Sequence, residues 1–141
     1  MRAAALVDTG AILALVDQTD RWHAICSEQF QRLSLPLLTS EAVLTELFHL
    51  ARRDRGGNEA VWTFIRSGAV RLAEIQDSEL QHLHVLMSRY GDRPMDFADA
   101  TLVYLAKREA LSTIFTVDHA DFETYRIDGR RRFRVLPTAR P

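Results

Sequence analysis

The chain has 141 residues, 47% of them apolar and 26% charged, with a formal net charge of −1. That length and balance fit a single soluble domain spanning residues 1–141 and exclude a mostly disordered polymer. They also exclude a global electrostatic pull on nucleic acid or acidic lipid. Cys26 is the only cysteine, so no internal disulfide and no thiolate zinc site can form. Among the 18 basic residues Lys107 is the single lysine, and the rest are arginine.

No run approaches the roughly 18 apolar residues of a membrane helix. The start, Arg2 followed by Ala3 to Val7, is cut short by Asp8, so it reads as the first strand of a cytoplasmic protein rather than a secretion signal. Thr9 to Val16 and Trp22 to Leu33 carry helical spacing. Leu35 to Leu38 forms a second short apolar run. Thr39 and Ser40 are good caps for a helix reaching about Arg53. After Gly56-Gly57 comes a helix through Trp62 and Ile65, and Val70 to Ile75 alternates like a strand.

Asp77 heads a predicted helix from Ser78 to Tyr90, and a further helix runs from about Asp96 to Arg108. Thr113 to Val117 is a β-branched apolar run. Asp128-Gly129 signals a turn before a last strand at Phe133 to Leu136. Strands alternating with helices predict an α/β fold with a mostly parallel sheet of four to five strands. Right-handed crossovers bring the C-terminal ends of parallel strands to one edge, where ligands bind.

Asp8 and Asp118 directly follow two predicted strands, so both fall at that edge. Glu46 lies on the stripe of Val43, Leu47 and Leu50, where a carboxylate needs a cationic or metal partner. Asp96 and Asp99 share a helical face, and Asp99 borders the packed surface of Ala100, Leu102, Val103 and Ala106. Each acid also has a plainer reading. Asp8, Asp96 and Asp118 can cap the elements that follow them. Glu46 can pair with Arg52, Arg53 or an arginine of the tail. Asp121 reads as a solvated loop acid.

Converging carboxylates either hold protons or bind a divalent cation. An all-oxygen donor set selects a hard ion, Mg²⁺ or Mn²⁺. Such a site can cleave a phosphodiester with water as nucleophile. Arg52 and Arg53 at a helix end, and Arg130, Arg131 and Arg132 after the turn, are candidates to grip the phosphates of such a substrate. Among the aromatic residues, Trp22, Phe30 and Phe48 read as core, while Trp62 and Phe64 could flank a partner groove.

Taken in order, Val7-Asp8-Thr9-Gly10, Thr39-Ser40 with Glu46, Met95 to Ala100, and Thr116-Val117-Asp118 with Asp121-Phe122 resemble the PIN-domain ribonucleases. The resemblance is strongest to VapC-type toxins. It implies a three-layer α/β/α fold and matches Asp8, Glu46, Asp99 and Asp118 to the family's acids. Asp96 matches a further acid, and Thr116 a supporting hydroxyl. It also implies Mg²⁺-dependent endoribonuclease activity, a homodimer and inhibition by a cognate antitoxin.

Two other readings use the same residues. A non-catalytic PIN-like interaction protein would keep the pocket and act by binding. A phosphoacceptor signalling domain would need a lysine after a late strand, whereas Lys107 falls within a helix.

Overall fold

Residues 2–52 and 56–141 are described by a computed structural model. The chain order is β1 (Leu6–Val7), α1 (Thr9–Val16), α2 (His23–Arg32), β2 (Leu37–Ser40), α3 (Glu41–Ala51), α4 (Gly57–Arg66) and β3 (Val70–Ala73). A 3₁₀ turn (Asp77–Glu79) leads into α5 (Leu80–Arg89), followed by α6 (Phe97–Arg108), β4 (Thr113–Phe115) and α7 (His119–Thr124). The chain ends in β5 (Arg126–Ile127), β6 (Arg131–Arg132) and β7 (Arg134–Leu136). Among the described residues no helix is long and apolar enough to cross a membrane.

Five strands form one sheet in the order β3-β2-β1-β4-β7. Every neighbouring pair in it is parallel. Period-two alternation then splits each central strand between two cores. Leu6, Leu38 and Ile114 join Leu102, Leu105, Phe122 and Tyr125 on one face. Val7, Leu37 and Phe115 join Ile12, Cys26 and Val61 on the other. This is the three-layer α/β/α arrangement, with α5, α6 and α7 over one face and α1, α2 and α4 over the other. Helix α3 packs on both α1 and α6, closing the end of the sheet.

Chain order and spatial order diverge at β1. The chain builds outward from β1 through β2 to β3, then returns to lay β4 on the other side of β1. The crevice beyond the strand ends at such a reversal is the usual ligand position in open α/β sheets. The buried polar side chains Asp8, Thr9, Thr39, Ser40, Asp99, Thr101, Thr116 and His119 lie at strand ends or on the helices packed against them.

Two local expectations are corrected. Gln76, not Asp77, caps the turn before α5, exchanging bonds with Glu79 in a capping box. Strand β4 ends at Phe115 rather than Val117; Thr116 N still donates to Leu136 O at 2.9 Å, and the Thr116 hydroxyl turns to Asp8. The Asp128-Gly129 signal makes a tight turn between β5 and β6, with both residues at positive φ (58° and 72°).

Candidate active site

Parallel register places Leu6 beside Ile114 and Val7 beside Phe115. The next residues, Asp8 and Thr116, therefore meet. Asp8 N donates to Phe115 O at 3.0 Å, and Thr116 Oγ1 donates to Asp8 Oδ2 at 3.1 Å. The same Thr116 oxygen accepts from Asp118 N at 2.9 Å. One hydroxyl thus links the acids that end β1 and follow β4. Gly10 permits this close approach: a Cβ there would overlap Cγ2 of Val117.

Asp8 takes the capping role open to it in the sequence. Its Oδ1 accepts from Thr9 N at 2.7 Å at the start of α1, and its side chain faces the acidic edge. Only 6% of Asp8 is exposed. Burial pushes its carboxyl up to about 7, with the charges of Glu46 and Asp118 adding to the rise against the hydrogen bonds from Thr9 and Thr116. Glu46 is half-buried on α3. Among the described residues it makes no ion pair with an arginine, while its charge reaches Asp8.

Asp96 caps α6, with Oδ1 accepting from Asp99 N at 2.8 Å. Asp99 lies one turn in and is 7% exposed. Burial pushes its carboxyl up to about 8, and the charges of Asp8, Asp96 and Asp118 add to that. Tyr125 OH donates to Asp99 Oδ2 at 2.9 Å. This contact carries no local sequence signature, and its partners are 26 residues apart.

Asp118 occupies the capping position of α7 but makes no capping bond there. Burial and then its contact with Asp121 raise its carboxyl to about 6, while Arg93 opposes the rise. Asp99, Asp118 and Asp121 each present an oxygen within 4.8 Å of the others. Asp121 thus belongs to the cluster instead of to a solvated loop. The missed signal was the three-residue step from Asp118, which shares a face once the segment turns helical.

Three crowded carboxylates, all offering oxygen, suit a hard divalent cation. A cleft of about 800 Å³ is lined by Ser40, Glu46, Asp96 and Phe97 among others, and Asp99, Asp118 and Asp121 do not line it. Among the basic candidates, Arg52, Arg130, Arg131 and Arg132 are exposed. Arg131 pairs with Asp128 at 3.4 Å. Arg53 lies outside the described residues. Trp62 is 49% exposed and packs on Phe48.

A parallel sheet in this order, with acids gathered beyond β1 and β4, defines a nuclease-like α/β class. Residues 5–128 match the family model described as PIN domain, and the chain belongs to the PIN-domain family. It is 33% identical over 134 residues to Ribonuclease VapC26 of Mycobacterium tuberculosis, covering 94% of this chain and 99% of that relative. In structure it is similar to Mycobacterium tuberculosis VapC20, described as a sarcin-ricin loop cleaving toxin. That match has a TM-score of 0.73 at 21% identity and covers 82% of this chain and 90% of the other.

Proposed function

We propose that this protein is a VapC-type endoribonuclease, the toxin of a toxin–antitoxin pair, and that it uses Mg²⁺. The observation that carries the reading is the convergence of Asp99, Asp118 and Asp121 within 4.8 Å, beside Asp8, in a PIN-domain chain similar to a ribonuclease over nearly its whole length. Carboxylate oxygens without thiolate or imidazole favour Mg²⁺, with Mn²⁺ as a close substitute.

Asp99 and Asp118, with Asp121 and Asp8, would hold the cation. Bound there, it supplies Lewis acidity that activates water and offsets charge on the leaving oxygen. Glu46, on α3 and close enough for its charge to reach Asp8, would orient the attacking water. Asp96 fixes the first turn of α6 and adds negative charge beside Asp99. Thr116 holds Asp8 and the backbone of Asp118 in register. Attack of water on phosphorus leaves a 5′-phosphate and a 3′-hydroxyl. Arg130, Arg131 and Arg132 offer exposed forks for flanking phosphates. The protein's partners in this reading are RNA, a second copy of the chain and a cognate antitoxin.

Incubation of the purified protein with total RNA tests the proposal. Cleavage is expected with Mg²⁺ or Mn²⁺, and its loss with a chelator, restored by added metal. Cleavage that persists in the chelator would overturn the metal-dependent reading. Specific RNA binding without cleavage would instead favour a non-catalytic interaction protein.

A further inference from the structure

Asp121 is gripped from outside the acidic cluster by a single side chain. Arg93, in the loop between α5 and α6, donates from Nε and Nη2 to Asp121 Oδ1 at 3.0 and 2.8 Å. Its Nη1 donates to Thr124 Oγ1 at 3.1 Å. The Arg93 backbone N–H is itself anchored, donating to Tyr90 O at 3.1 Å. Met95, two residues on, is buried, and Asp96 then caps α6. One guanidinium therefore joins the two segments that supply the cluster: the loop leading to Asp99, and α7 with Asp118 and Asp121.

Both Arg93 bonds to Asp121 end on the same oxygen, and Oδ2 carries none of them. This two-point grip opposes an outward swing of the Asp121 carboxylate. The rigid planar fork of arginine matches the task, whereas a lysine ammonium would hold the same charge without the two-point grip. Partners that orient metal-binding groups commonly matter about 10–100-fold in metal affinity. The guanidinium charge acts in the opposite sense, disfavouring a nearby cation. The Arg93 side chain is 46% exposed, so solvent screens that repulsion.

We propose that Arg93 is a positioning residue that clamps Asp121 so that it joins Asp99 and Asp118 as the third oxygen donor to a divalent cation. The proposal rests on the metal-site part of the functional reading, and its test needs no RNA.

The experiment is calorimetric titration of Mn²⁺ into the metal-free full chain, comparing wild type, Arg93→Lys, Asp121→Asn and the double variant. Arg93→Lys keeps the charge and loses the fork, so its Mn²⁺ affinity should fall about tenfold or more. Asp121→Asn should also weaken binding. The double variant should bind like Asp121→Asn alone, because the clamp then has nothing to hold. Wild-type affinity in Arg93→Lys, or losses that simply add in the double variant, would overturn the proposal.

Thermal melting accompanies each titration, and Arg93→Lys should melt within a few degrees of wild type because its side chain is half in solvent. An Arg93→Lys protein that no longer folds would assign the residue to the fold and overturn the proposal. Absence of Mn²⁺ binding in the wild type would remove the site and the proposal together. Mn²⁺ binding with the expected non-additivity, but no RNA cleavage, would support the clamp and fail only the nuclease reading.

Discussion

Asp99→Asn abolishes RNA cleavage while leaving the fold intact: that is the expected result for the most central acid. Asp99 is almost wholly buried, within reach of Asp118 and Asp121, and bonded to Tyr125. Asparagine keeps the shape and an acceptor oxygen for Tyr125 but cannot carry the negative charge that a divalent cation needs. Losing a charged donor should cost more than losing a partner that only orients one, so a fall in turnover beyond about 100-fold is expected. The fold gains or stays neutral, because burial already disfavours the ionised form of this carboxyl. Metal-free Asp99→Asn should melt at or above the wild-type temperature at pH 8. Turnover retained near the wild-type rate would move the catalytic centre elsewhere.

The second large effect concerns pH and metal together. In the folded, metal-free protein Asp8, Asp99 and Asp118 hold their protons up to about 7, 8 and 6, chiefly because they are buried. In the unfolded chain they release them near the ordinary aspartate value of about 4. Between those limits the native state binds more protons than the unfolded state, so stability falls as pH rises. The contribution is fully present below about pH 4 and lost as pH passes through 6 to 8.

A bound divalent cation replaces those protons, and its affinity grows with deprotonation. The melting temperature of the metal-free protein should therefore drop by several degrees from pH 5 to pH 8, more steeply in wild type than in Asp99→Asn. Saturating Mg²⁺ should raise it more at pH 8 than at pH 5. Equal slopes in the two proteins, or a metal shift larger at pH 5, would contradict this electrostatic picture.

Much of the architecture was legible because apolar runs end sharply in acids. Leu6-Val7-Asp8 marks a covered strand and its exit, and both the parallel sheet and the edge position of Asp8 follow from that. The last strand and the turn at Asp128-Gly129 were equally readable, since only special backbone conformations are tolerated there. Strand ends were less readable. Thr116 and Val117 are as β-prone as Thr113, so propensity does not mark the end of β4 at Phe115.

Asp121 read as a solvated loop acid because α7 spans six residues, too short to show a helical period. Tyr125 and Arg93 were beyond local pattern altogether: each reaches an acid 26 to 28 residues away. Contacts of that range are set by how the layers pack, which propensity and spacing do not encode.

The whole account depends on one cation sitting among these carboxylates. Crystals of the wild-type protein soaked in Mn²⁺, with anomalous scattering recorded near the manganese edge, measure that directly. The expected result is a peak bounded by Asp99, Asp118 and Asp121 on the side facing Asp8, absent from Asp99→Asn crystals treated identically. A peak elsewhere, or no peak among these four side chains at saturating Mn²⁺, would contradict the account.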